Sequence, residues 1–204
     1  DLLVRLLEAL AYTHARGVLH RDIKPRNVLF ADWGDSRPGV KLTDFGLATA
    51  SVMDETMSDA TIGTPNYMAP EQVLGHWRDF GPATDLYALG CLAWRLFCGS
   101  APFQGKPGGV AARLRAHVQS PLPEFFSRFA APALLVPWLR RLLAKSPEAR
   151  FAFAADALAA LPHADAECVA PVASPFSKVF DPNNDEETLE LEPSPGLRDV
   201  GQPV

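Results

Sequence analysis

The sequence predicts a mainly α-helical α+β fold in which one short β-hairpin interrupts the helices. Three observations carry this. Apolar residues recur at helical spacing over residues 1–16 and in several later stretches. The run Asp85–Cys98 is apolar nearly all round. Two β-rich runs, Val28–Phe30 and Val40–Thr43, flank a cluster of turn residues. The chain has 204 residues, 48% apolar, 21% charged and 9% aromatic. That is too apolar for a wholly disordered chain, and the length suits one domain better than two.

Leu2, Leu3, Leu6, Leu7, Leu10 and Ala11 put one apolar face on a first helix, with Gly17 as its stop signal. The hairpin follows, its strands joined by the Gly, Asp and Pro of residues 31–39. Residues 47–70 are polar and show neither helical nor strand period, and so long a connection is usually functional or disordered. It is the first loop to suspect of regulation. Residues 85–98 read as a central buried helix. Further helices are expected over 110–119, 134–144 and 154–161. Beyond Pro162 the helical period vanishes and six prolines appear with the acidic run DEETLELE. Residues 163–204 therefore read as a disordered, proline-rich acidic linker or tail.

The formal net charge of −5 is unevenly spread. Residues 1–162 carry +2 and residues 163–204 carry −7, so the body is near neutral and offers no nucleic-acid footprint. No segment reaches the roughly 18 consecutive apolar residues of a membrane span. Cys91 and Cys98 lie about 10 Å apart along one helix, too far for a disulfide. With Cys168 they make an odd set without metal spacing, best read as small core residues of a reducing compartment.

The chemistry concentrates in His20-Arg21-Asp22-Ile23-Lys24-Pro25-Arg26-Asn27, between the first helix and the hairpin. One loop carries a carboxylate, an ammonium and a carboxamide around a rigid proline. Asp44-Phe45-Gly46 follows the hairpin directly, and Ala69-Pro70-Glu71 closes the polar loop. In these three segments, and in their order, the chain resembles the eukaryotic-type (Hanks-type) serine/threonine protein kinases. The short Ala- and Arg-rich helices point to the bacterial subgroup.

The resemblance covers about residues 1–162. It implies an α+β protein-kinase-like fold and, within it, the mainly helical C-terminal lobe. No segment has the Gly-rich loop, strand Lys and helix Glu of the smaller N-terminal lobe, so the chain is expected to be part of a longer polypeptide with domains on both sides. ATP and Mg2+ are the implied cofactors. Proteins are the implied substrates, with autophosphorylation possible in principle, and the implied location is cytoplasmic.

Phosphoryl transfer needs a hydroxyl held in line with the γ-phosphate and neutralisation of charge on the phosphates. Asp22 suits the base that orients the hydroxyl. Lys24 can place a point charge on the transferring group. Asn27 and Asp44, 17 residues apart across the hairpin, offer oxygens to magnesium. By resemblance, Thr64 in Gly63-Thr64-Pro65 bonds to Asp22 and Lys24, and with Lys24 marks serine/threonine specificity. Arg21 is the cation that a phosphate on the activation segment pairs with, with Thr56, Ser58 and Thr61 as candidate acceptors. Glu71 and Arg150 resemble a structural ion pair, Asp85 an anchor for the catalytic-loop backbone, and Gly46 a source of backbone freedom beside Asp44.

Competing readings exist for each feature. His14 and His20 lack a partner pair at ligand spacing and fit packed, hydrogen-bonded histidines better than metal ligands. His76, His117 and His163 are isolated in sequence. Trp33, Trp77, Trp94 and Trp138 suit core or loop anchors. Residues 105–109 lack the order of a phosphate-binding loop. For the chain as a whole, the alternative to a kinase is a truncated or pseudokinase-like binding module, against which the joint presence of Asp22, Lys24, Asn27 and Asp44 argues.

Overall fold

The computed structural model describes residues 2–31, 34, 36, 38–45, 65–162 and 168–169. Helix α1 (Leu2–His14) buries Leu6, Leu7 and Leu10 and leaves Arg5 and Glu8 paired at 3.2 Å on its outer face. It stops at Gly17, whose φ of +71° is left-handed. The Gly17 amide donates to the His14 carbonyl and the Val18 amide to that of Thr13, the two reversed bonds that close a helix end on a glycine. The chain leaves this cap straight into the His20–Asn27 loop.

That loop ends in a single 3-10 turn, Pro25–Asn27, and runs into β1 (Val28–Ala31). β1 pairs antiparallel with β2 (Gly39–Leu42), Val28 opposite Leu42 and Ala31 opposite Gly39. The pairing extends one step past the strands, because the Thr43 amide donates to the Asn27 carbonyl at 3.0 Å. The hairpin thus returns the chain to the level of Asn27 just before Asp44.

The short helix α2 (Pro70–Val73) precedes α3 (Pro82–Cys98), which is buried on all sides from Ala83 to Arg95. Pro82 opens α3 where its missing N–H costs nothing, and the Thr84 hydroxyl accepts from the Gly81 amide at 3.1 Å. α4 (Gly109–Gln119), α5 (Leu135–Leu142) and α6 (Ala154–Ala159) complete the helices. Gly90 lets α3 and α5 touch: a Cβ there would stand 3.0 Å from the Leu142 Cβ and 3.1 Å from Leu143 side-chain atoms. Tyr87, Leu86, Leu89, Leu139 and Leu142 form the centre of the core with the α1 leucines.

Several expectations shift. α3 starts at Pro82, so Asp85 lies within its first turn and does not open the helix. Residues 47–70 are not irregular to their end: a 3-10 turn (Pro65–Tyr67) and the start of α2 fall there, both too short to show a period. Within the acidic tail, β4 (Cys168–Val169) pairs with β3 (Ala131–Pro132). Such a pair uses backbone groups only and leaves no side-chain pattern to read; the rest of 163–204 lies outside the described residues. Trp94 and Trp138 are core residues, Trp138 donating to the Ala157 carbonyl at 2.9 Å, whereas Trp77 is exposed and Trp33 lies outside the described residues. Cys91 and Cys98 are free thiols. Burial pushes the Cys91 thiol well up and that of Cys98 up to about 11, so neither is poised as a nucleophile. Among the described residues, no helix is long and apolar enough to cross a membrane.

Candidate active site

The His20–Asn27 loop is shaped by bonds to its backbone. Asp85, fully buried in α3, accepts from the His20 amide at 2.8 Å and from the Arg21 amide at 2.7 Å. His14 Nε2 lies 2.8 Å from the same carboxylate; a carboxylate can only accept, so this nitrogen carries the proton. Paired this way, Asp85 ties the end of α1 and the start of the loop to the central helix. His20 is buried, with its ring 4.5 Å from that of Phe45, and its Nδ1 accepts from the Asp22 amide at 3.3 Å. Arg21 takes a left-handed φ of +64°, a conformation that disfavours any side chain and persists only where the surroundings impose it.

The loop brings three of the candidate residues together. Lys24 Nζ sits 2.9 Å from Asp22 Oδ2. Asn27 Nδ2 donates to the Asp22 carbonyl at 2.8 Å and to Asp22 Oδ2 at 3.1 Å. Asp22 and Lys24 remain about a fifth accessible, at 19% and 18% of their side chains, while Asn27 is buried. An acidic oxygen is thus held between an ammonium and an amide and still open to a ligand.

Asp44 is exposed and, like Arg21, has a left-handed φ, here +60°. The donor end of the Asn27 amide faces Asp22, and the other end of the amide is a neutral oxygen of the kind a hard cation takes. Among the described residues, no group of three or more His, Cys, Asp or Glu could hold a metal by itself. Two oxygens from Asn27 and Asp44 match instead the small protein share of a magnesium shell otherwise filled by phosphate and water.

A second charged site lies in the interior. Glu71 of α2 and Arg150 form a bidentate pair at 2.8 and 2.9 Å. The remaining guanidinium hydrogens go to the carbonyls of Ala83, Ala144 and Lys145 at 3.0, 2.8 and 2.9 Å. All five donors of Arg150 are satisfied, so the charge stays buried without an orphaned hydrogen. Nearby, the buried His117 of α4 meets the Tyr87 hydroxyl at 2.9 Å through Nδ1. Desolvation, helped by the Lys145 ammonium, pushes His117 down to about 3. Burial pushes Lys145 itself down to about 8, and its Nζ donates to the carbonyls of Ala116 and His117 at 3.1 and 2.7 Å.

The sequence-predicted residues Gly46, Thr56, Ser58, Thr61 and Thr64 lie outside the described residues. Sequence reasoning missed the bond between His14 and Asp85, 71 residues apart, and a second long-range link made by Gln72. The Gln72 side chain accepts from the Ala69 amide at 3.0 Å and donates to the Arg21 carbonyl at 2.9 Å. Only the position of Gln72 directly after Ala69-Pro70-Glu71 could have drawn attention to it.

The geometry is a basic and amidic cradle around Asp22, with a second carboxylate, Asp44, returned to the level of Asn27 by the hairpin. The protein kinase domain family matches residues 1–160, and the chain belongs to that family. The chain is 42% identical over 155 residues to serine/threonine-protein kinase Pkn1 of Myxococcus xanthus, covering 74% of this chain and 22% of that protein. It is 37% identical over 169 residues to serine/threonine-protein kinase PknA of Mycobacterium tuberculosis, covering 79% of this chain and 36% of that protein. A third relative, serine/threonine-protein kinase PknF of the same organism, is 36% identical over 167 residues. The chain therefore spans between about a fifth and somewhat over a third of the length of these relatives, and the resemblance to bacterial members of the Hanks-type group holds.

Proposed function

We propose that this chain is the C-terminal lobe of a bacterial serine/threonine protein kinase that transfers the γ-phosphate of ATP to Ser or Thr hydroxyls of proteins. The reading includes residues 1–162 as the lobe, 163–204 as a linker, and further domains on the same polypeptide that supply the N-terminal lobe, in a cytoplasmic setting. The observation that carries it is the meeting of Lys24 and Asn27 on one oxygen of Asp22, Oδ2, at 2.9 and 3.1 Å, beside a hairpin that leads to Asp44.

Mg-ATP, when bound, supplies the phosphoryl group and a cation that neutralises its charge. Asp22 accepts the hydrogen bond of the acceptor hydroxyl and directs its lone pair. Lys24, 2.9 Å from Asp22, both orients that carboxylate and offers its charge to the oxygens of the group in flight. Asn27 fixes Asp22 with its nitrogen, and the Asn27 oxygen and the Asp44 carboxylate would hold the magnesium ion that accompanies the nucleotide. Thr64 seats the acceptor hydroxyl, and a phosphate on Thr56, Ser58 or Thr61 pairs with Arg21. The other residues, Gly46, Glu71, Asp85 and Arg150, serve as scaffold.

The magnesium assignment is tested by titrating Mg2+ against phosphotransfer by the full polypeptide. Asp44→Asn replaces an anionic ligand oxygen with a neutral one, so half-maximal activity should need at least about tenfold more Mg2+. An unchanged Mg2+ requirement in an active Asp44→Asn protein would remove Asp44 from the metal site.

A further inference from the structure

We infer that Gln72 is a positioning residue for Asp22, acting through the peptide unit that joins Arg21 to Asp22; the inference rests on the proposed catalytic role of Asp22. That peptide unit has two polar groups, and each is held by a side chain. Its N–H, on Asp22, donates to His20 Nδ1 at 3.3 Å, and its carbonyl, on Arg21, accepts from Gln72 Nε2 at 2.9 Å. The preceding amide, on Arg21, is held by Asp85 at 2.7 Å. Arg21 sits between these grips at a φ of +64°, where a residue with a side chain does not rest unless it is held. The orientation of this one peptide plane sets the direction in which Asp22 leaves the backbone.

Gln72 is suited to the task because it is itself immobilised. Its Oε1 accepts from the Ala69 amide at 3.0 Å, which fixes the side-chain rotamer and aims Nε2 across at Arg21. Its neighbour Glu71 is clamped by Arg150, so α2 forms a rigid base for the donor. The helix that follows the long polar loop is thereby bonded to the catalytic loop by one amide. Any displacement of α2 reaches Asp22 through it.

The two ends of the Gln72 amide do different jobs, and two variants separate them. Gln72→Glu keeps the acceptor for Ala69 and loses the donor to Arg21. Gln72→Lys keeps a donor and loses the acceptor. Hydrogen exchange at the Arg21 and Asp22 amides and steady-state kinetics are measured on the full polypeptide. For Gln72→Glu, exchange at these amides should quicken about three- to tenfold, the scale of one neutral hydrogen bond. kcat should fall by a similar factor with the KM for ATP unchanged, and Gln72→Lys should recover most of the loss in both. The opposite order, with Gln72→Lys impaired and Gln72→Glu like wild type, means that the residue only caps α2 and overturns the inference. Unchanged exchange in both variants overturns it as well. If the wild type transfers no phosphate but the exchange order holds, Gln72 still positions the loop, and the catalytic reading of Asp22 is what fails.

Discussion

The His20–Asn27 loop and the Glu71–Arg150 clamp handle charge in opposite ways. At the clamp, a bidentate pair at 2.8 and 2.9 Å is sealed from water and every guanidinium hydrogen has a partner. At the loop, Asp22 and Lys24 pair at 2.9 Å but stay partly open to solvent, and the backbone beside them is held in a left-handed conformation by Asp85 and Gln72. The clamp uses charge to fix geometry. The loop spends geometry to keep charge available. In the proposed function these groups meet a phosphate, so they cannot be saturated by the protein and the order they need comes from bonds to their backbone.

The contrast predicts that stability and activity respond to different residues. Arg150→Ala should show the largest effect on stability, about 3–5 kcal/mol, because it leaves the Glu71 carboxylate buried and unpaired; denaturant unfolding measures it, and a loss under about 1 kcal/mol would mean that the clamp is dispensable. A pH effect of intermediate size is expected from His117. Its native pKa of about 3 lies below the ordinary 6.5, so the unfolded chain binds the proton more readily. The stability this neutral histidine contributes is fully present above about pH 6.5 and is lost as the pH falls towards 3, on the order of a few kcal/mol. His117→Gln should flatten that acid limb, and an unchanged slope between pH 6.5 and 4 would count against the assignment. Asp22→Ala should have the smallest effect on stability, within about 1 kcal/mol, since its pair with Lys24 is partly solvated.

The helices and the hairpin were legible because each repeats a pattern within itself: leucines on one face of α1, an all-apolar α3, two β-rich runs about a turn. The chemistry-bearing residues were legible because Asp22, Lys24 and Asn27 fall on one short loop with Asp44 after the hairpin. What was not legible depends on distance in sequence or on brevity. The contact between His14 and Asp85 spans 71 residues and that between Gln72 and Arg21 spans 51, and neither residue type announces its partner. α2, with four residues, and the β3–β4 pair, with two residues a side, are too short to carry a period. The positive φ values of Arg21 and Asp44 were hidden for another reason: left-handed backbone is written in a sequence mainly as glycine, and here non-glycine residues are held there by tertiary bonds.

The central claim, that the Asp22 cluster transfers phosphate to hydroxyls of protein serine or threonine, is tested most directly by incubating the full polypeptide with γ-labelled ATP and Mg2+ and identifying the labelled amino acids. The account predicts label on phosphoserine or phosphothreonine in the wild type and a rate roughly 10²- to 10⁴-fold lower for Asp22→Ala, with the fold intact. Equal labelling by the two proteins, or none by a folded wild type that contains its N-terminal lobe, would contradict it.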